Sequence, residues 1–136
     1  MPDTFVDFLA NLLDEIGLNN TYVAALTSPP YLRQYEIAFT HSSYDSVNNY
    51  EKYELIGDVY VNHAIASYAI NNRLGMDTPK GVATNVIHRL ISATELTKFA
   101  KMLHFDRWIL TTNAGYERYT DIIRQGDANP PATRPV

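Results

Sequence analysis

Apolar side chains recur every three or four residues along most of the chain, and this spacing predicts helices. In residues 3–16 the apolar positions fall on one side of a helix: Phe5, Phe8, Leu9, Leu12, Leu13 and Ile16. Asp3 or Thr4 can cap this helix, and Gly17 can end it. Since no alternating stretch is long enough for a strand, the pattern predicts an all-α fold.

Two short helices, TYVAAL and PYLRQYEIAF, are predicted next, because SPP at 28–30 stops the first and can start the second. A polar loop at 41–49 precedes the longest helix, expected from about Tyr50 to Asn72. Its residues 59–70, VYVNHAIASYAI, are apolar on every side, which is typical of a buried central helix. His63 within it is expected to be a hydrogen-bonded core residue.

Two further helices follow the longest one. Thr78 and Pro79 fit an N-cap and a first helical residue. Ser92 and Glu95 fit a capping box for the second helix. One apolar face is expected on each helix.

The pattern weakens towards the C-terminus. Phe105–Leu110 can add a short turn, and a helix is possible at Tyr116–Gln125. The prolines of GDANPPATRPV forbid helix in the last residues. We therefore expect a helical domain over residues 1–110 and an irregular segment over residues 111–136, which precedes or replaces a last helix.

Composition narrows the class of protein. The chain has 136 residues, one domain's worth, with a formal net charge of −4 and no cysteine. The acidic balance argues against binding nucleic acid through bulk positive charge, although it permits a substrate approached through divalent metal ions. Disulfides and thiolate metal sites are excluded. With no signal peptide and no membrane-spanning run, a soluble intracellular protein is expected.

Three carboxylates stand at the head of the longest predicted helix: Glu51, Glu54 and Asp58. At about 100° per residue they lie within about 60° of one another, so they form one acidic stripe. Acids in a first helical turn favour the helix dipole, which accounts for Glu51 and Glu54. Asp58 lies two turns in, and a hard divalent cation such as Mg²⁺ is the alternative explanation for the stripe. Gly57 beside it suggests close approach by another backbone, since glycine costs about 1 kcal/mol in a helix.

Two motifs around this stripe resemble those of the ribonuclease III endonuclease domain. AFTHSSY at 38–44 resembles that family's T-H-x-S-Y loop, and EKYELIGD at 51–58 resembles its E-R-L-E-F-L-G-D signature helix. A third stretch, from Thr78 to Phe105, resembles the family's P-x-x-x-E-G segment and the helices after it. The matching positions there are Arg89, Ser92, Leu96, Ala100 and Leu103.

The resemblance implies an all-α domain with a long central signature helix that cleaves double-stranded RNA with Mg²⁺, for which Mn²⁺ could substitute. It implies a homodimer, or pairing with a second ribonuclease III-like domain. Carried over by position, Glu54 and Asp58 are the expected catalytic residues and metal ligands. Glu51 is expected at the cleft edge or in contact with RNA, and Asp121 is the candidate for a further metal-binding acid.

The chain departs from the family pattern at several positions. Lys80 stands before Gly81, where bacterial members have Glu, and Leu55 replaces a Phe that inserts into the partner subunit. In the second acidic pair, D-x-x-E, Asp121 matches the Asp but Arg124 takes the place of the Glu. Two explanations stay open: a fragment ending before the last family helix, or an inactive relative serving as a dimerisation or scaffold module in a ribonucleoprotein.

Overall fold

The structure, a computed structural model, describes residues 2–112 and confirms the all-α fold. Its six α-helices are α1 (Phe5–Glu15), α2 (Asn20–Leu26), α3 (Pro29–Ala38), α4 (Glu51–Ala69), α5 (Lys80–Leu90) and α6 (Ala93–Met102). A π-helical turn, Ile70–Leu74, continues α4, and a 3₁₀ turn, Phe105–Arg107, follows α6. Within these residues extended backbone pairs only as an isolated parallel bridge between Thr40 and Leu110. Crossing a membrane would take a longer or more apolar helix than any of those described.

Local sequence signals set most of the helix boundaries. The Thr4 hydroxyl accepts a hydrogen bond from the Asp7 amide at 3.1 Å, which fixes the start of α1. Gly17 ends that region with a φ of 102°, a left-handed conformation that favours glycine. Ser92 caps α6 by accepting from the Glu95 amide.

Two boundary predictions differ in detail from the structure. Pro79, rather than Thr78, is the N-cap of α5, and the helix begins at Lys80. The Thr78 hydroxyl instead donates to the Leu74 carbonyl, so it closes the preceding turn. The second difference concerns Glu95, which was expected to complete a capping box with Ser92. Its carboxylate instead forms an ion pair with Lys98 at 2.9 Å.

An aromatic cluster joins the N-terminal helix to the last described turn. Phe8 of α1 stacks on Trp108 with ring centroids 5.3 Å apart, and Phe39 meets Phe105 edge-on at 5.2 Å. Phe5 contacts both Phe39 and Trp108. Such ring pairs contribute about 0.5–1.5 kcal/mol each beyond their buried area. The cluster therefore anchors the end of α3, and with it the loop that leads to α4.

The expectation that α4 is buried is wrong for the described part of the protein. Ala69, near its C-terminal end, is its one buried residue there. Large apolar side chains are exposed along its first three turns: Tyr53, Leu55, Ile56, Val59, Tyr60 and Val61. His63 is also exposed, so it is not a core histidine. The described neighbouring helices therefore leave the first turns of α4 largely uncovered.

Gly57 has open space beside it. A Cβ atom built at this position would meet nothing within 4 Å. The close backbone approach that this glycine suggested is therefore not made by any described part of the chain. The helix predicted at Tyr116–Gln125 and most of the irregular segment predicted over residues 111–136 lie outside the described residues.

A strained residue follows α6. His104 has φ 62° and ψ 25°, left-handed values that disfavour a residue with a Cβ atom. Replacing it by glycine removes this penalty, although the unfolded chain gains conformational freedom. We expect His104→Gly to raise the free energy of unfolding by about 0.5–1 kcal/mol, measured by urea denaturation.

His88→Gly is the matched control, because His88 is exposed on α5 with helical backbone. It should lower the free energy of unfolding, by up to about 1 kcal/mol. Equal losses in both variants would contradict this account of His104.

Candidate active site

The three predicted acids lie together on the first turns of α4. Glu51 and Glu54 occupy its first turn, and Asp58 follows one turn later on the same side. All three are exposed. The Asn62 amide lies 3.5 Å from an Asp58 carboxylate oxygen, at the limit of a hydrogen bond. Asp121, the fourth predicted acid, lies outside the described residues.

The stripe has no cationic partner within residues 2–112. The ion pairs found there join Arg33 to Glu36 and Lys98 to Glu95, and none of them includes a residue of the stripe. Over the same residues no group of three or more acidic or histidine side chains converges closely enough to form a metal cage. Exposed carboxylates on one helix side fit the different habit of Mg²⁺, which takes one or two carboxylates and keeps several waters. The donor set of Glu54 and Asp58 is therefore compatible with Mg²⁺.

Asn49 fixes the backbone at the start of α4. It is buried, its side-chain amide donates to the Asp45 carbonyl, and its side-chain oxygen accepts from the Glu51 amide at 3.0 Å. Both ends of the side chain are thus bonded, as a buried polar group requires. This hydrogen bond fixes the position of the Glu51 amide, one residue after the N-cap Tyr50.

The turn after α3 provides a second support. The Tyr50 amide donates to the Thr40 carbonyl at 2.9 Å. On the other side, the His41 amide donates to the Leu110 carbonyl and the Leu110 amide to the Phe39 carbonyl, each at 2.8 Å. Thr40 is buried between these segments. The acidic end of α4 is therefore tied to the extended segment beginning at Leu110.

His41 and Ser43 form a side-chain network beside this turn. The Ser43 amide donates to His41 Nδ1 at 3.1 Å, so Nδ1 is the acceptor of this hydrogen bond. Ser43 Oγ lies 2.7 Å from the same nitrogen and 2.9 Å from Thr111 Oγ1. These contacts give His41 a structural role in the loop.

Tyr50 connects this network to the acids. Its ring stacks on His41 with centroids 5.6 Å apart and planes inclined by 27°. Burial, followed by the negative charges of Glu54 and Glu51, raises the pKa of the Tyr50 hydroxyl. The phenol therefore lies within electrostatic range of both carboxylates and stays protonated at neutral pH.

Sequence patterns placed the three acids on one side of the longest helix but did not identify Asn49 and Tyr50, the residues that hold the start of this helix. An asparagine just before a helix is a capping signal, and this signal could have identified Asn49. Nothing in the local sequence marks Tyr50, because its stacking partner is nine positions away, across the loop. Two of the departures from the family pattern lie within the described residues: Lys80 is exposed at the start of α5, and Leu55 is 74% exposed.

Asp45 organises the loop that leads to Asn49. Its carboxylate oxygen accepts from the amides of Asn48 and Val47, both at 2.9 Å, and these bonds lower its pKa below the ordinary 3.8. Because the pKa is lower in the folded state, the stabilisation is present above about pH 4 and is lost as the pH falls through the folded value. We expect the protection factors of the Val47 and Asn48 amides, which compare their exchange rates with the intrinsic rates at the same pH, to fall upon acidification below about pH 4. The exchange rates are measured by NMR.

Asp45→Ala serves as the control, since it lacks the titrating acceptor. Exchange at the two amides, corrected for the intrinsic effect of pH, should be fast and independent of pH over this range. Identical pH profiles in the variant and the wild type would contradict the assignment.

Three curated proteins are similar to this chain. It is 34% identical over 101 residues to "Putative ribonuclease 3" of Invertebrate iridescent virus 6, covering 71% of this chain and 34% of that protein. It is 32% identical over 76 residues to "Ribonuclease 3" of Pelagibacter ubique, covering 56% of this chain and 33% of that protein. For "Ribonuclease 3" of Enterococcus faecalis the values are 33% over 81 residues, 55% and 34%.

The similarity thus spans about a third of the length of each of these relatives. No family model matches the chain, and no solved structure matches it significantly. The three similarities support a ribonuclease III-like family for this helical domain.

Proposed function

We propose that this chain is a ribonuclease III-type endonuclease domain that cleaves double-stranded RNA by Mg²⁺-dependent phosphodiester hydrolysis. One observation carries the proposal: Glu51, Glu54 and Asp58 lie on one exposed side of α4 and have no cationic partner within residues 2–112. The names of the three relatives supply the ribonuclease class. The duplex substrate and the metal belong to the proposal.

Glu54 and Asp58 are the proposed ligands of Mg²⁺, and Asp121 is proposed as a further ligand. Mn²⁺ could substitute for Mg²⁺. When bound, the cation supplies a nucleophile at neutral pH and stabilises the leaving oxygen. The carboxylates hold it with hard oxygen donors. Asp58 is further oriented by Asn62, whose side-chain nitrogen approaches to 3.5 Å.

Glu51 is proposed to act at the substrate edge of the stripe. Its amide is fixed by Asn49, so its side chain leaves the helix at a set point. Carboxylates repel phosphates, and a domain with net charge −4 offers no bulk attraction to RNA. Cations that neutralise the stripe would therefore favour the approach of a duplex to this face.

We expect Glu54→Gln to lower Mg²⁺-dependent cleavage of a duplex RNA by about 100-fold or more, because one charged ligand is lost. Product formation on a labelled duplex is the measurement. Glu15→Gln, at the exposed end of α1, is the control and should cleave as the wild type does. Undiminished cleavage by folded Glu54→Gln, or a folded wild type that leaves the duplex intact, would refute the endonuclease proposal.

A second candidate function is supported by the exposed apolar start of α4. Leu55 and Tyr60 are 74% and 71% exposed, with Ile56 and Val59 between them. Contiguous apolar surface of this kind marks interaction sites in soluble proteins. We propose that this face pairs with a second copy of the chain or with another ribonuclease III-like domain. A catalytically inactive domain would use the same face as a scaffold module in a ribonucleoprotein.

Leu55→Glu tests this pairing, because it places a charge on the apolar face at a position that is 74% exposed. We expect it to shift the wild-type homodimer to monomer in sedimentation velocity measurements at equal concentration. The control is Met76→Glu, which adds the same charge at an 86% exposed position on the loop after α4. A wild type that stays monomeric at its highest soluble concentration would contradict homodimer formation.

A further inference from the structure

We propose that Tyr50 is a positioning residue for the acidic stripe: its ring, stacked on His41, supports the first turn of α4 so that Glu51 and Glu54 face the same side. This inference rests on the proposed function, because it concerns the same carboxylates. It adds Tyr50 to the residues of the candidate site. Tyr50 has no carboxylate of its own and would act by holding Glu51 and Glu54 in place.

The backbone of Tyr50 is held on both sides of the residue. Its amide donates to the Thr40 carbonyl at 2.9 Å, and its carbonyl accepts from the Glu54 amide at 2.8 Å. Tyr50 is thus the N-cap residue of α4, joining the turn after α3 to the first helical hydrogen bond. A displacement of Tyr50 would pass directly to Glu54 through this bond.

The ring of Tyr50 has a fixed support. Its stacking partner, His41, accepts from the Ser43 amide at Nδ1, which sets the orientation of the imidazole. Ser43 in turn contacts Thr111 Oγ1 at 2.9 Å and accepts from the Thr112 amide at 3.3 Å. Residues distant in sequence therefore hold the surface against which Tyr50 lies.

The charges of the two glutamates also act on the Tyr50 side chain. Glu54 and Glu51 raise the pKa of the Tyr50 hydroxyl by their negative charge, after the larger effect of burial. The geometric link to the acids is the backbone bond from the Glu54 amide to the Tyr50 carbonyl, while the ring of Tyr50 is held by its stack on His41.

The test measures Mn²⁺ affinity by water-proton relaxation in the full 136-residue chain. We expect Tyr50→Leu to weaken Mn²⁺ binding about tenfold, the lower end of the effect of losing a residue that orients metal ligands. Tyr50→Phe retains the stacked ring and should recover most of the affinity. Tyr53→Leu is the matched control, because Tyr53 is an exposed tyrosine on α4 whose direction is about 160° from that of Glu51. It should bind as the wild type does.

Thermal unfolding of each variant separates positioning from general destabilisation. The proposal is overturned if Tyr50→Leu binds Mn²⁺ as tightly as the wild type, if Tyr53→Leu loses as much affinity, or if Tyr50→Phe is as weak as Tyr50→Leu. If Tyr50→Leu does not fold, Ser43→Ala replaces it. That variant removes the support of His41 and should weaken binding in the same direction, and unchanged affinity would overturn the proposal.

Glu54→Gln distinguishes failure of this proposal from failure of the proposed function. If Glu54→Gln and the wild type bind Mn²⁺ equally, the stripe is not a metal site and the proposed function fails. Amide exchange then decides the positioning claim alone. If Tyr50 positions the first turn, the amides of Glu51 and Glu54 exchange at least about tenfold faster in Tyr50→Leu than in the wild type. In Tyr53→Leu their exchange rates are unchanged. Equal rates in the two variants would overturn it.

Discussion

The hydrogen bond from the Tyr50 amide to the Thr40 carbonyl is the contact on which the candidate site depends. It joins the end of α3 to the start of α4, and the bridge between Thr40 and Leu110 joins both to the last described segment. The aromatic cluster behind Phe39 holds this junction against α1. The packing of the aromatic cluster therefore helps to fix the position of the end of α4 that carries the acids.

The helix itself both favours and opposes the acidic stripe. Its N-terminal end attracts negative charge, which stabilises Glu51 and Glu54 by about 0.3–1 kcal/mol each. Mutual repulsion offsets part of this gain, and Asp58 lies beyond the first turn, where the dipole no longer helps. A cation at the stripe would remove that imbalance. The exposure that makes the stripe accessible also leaves Leu55 and its apolar neighbours uncovered, so metal binding and pairing would use adjacent surfaces of one helix.

Local patterns predicted the helices well because their causes are local. The apolar spacing of α1 and the caps Thr4 and Ser92 act within one or two turns. The prediction that α4 is buried is wrong for the described residues, because an all-round apolar segment indicates a helix that favours burial without showing what covers it. The prediction that His63 is a core residue is wrong for the same reason, because this residue lies on the exposed part of α4. The role of Tyr50 could not be predicted, since it arises from a tertiary contact with His41.

Paramagnetic line broadening by Mn²⁺ in the ¹H–¹⁵N spectrum of the wild-type chain tests directly whether the stripe on α4 binds a metal ion. If the stripe is a metal site, the amide signals of Glu51, Glu54 and Asp58 broaden first, at Mn²⁺ concentrations that leave the signals of the other acidic segments sharp. Broadening that is equally strong around Asp14 and Asp77, both exposed acids outside the stripe, would show diffuse attraction of cations and contradict a metal site on α4.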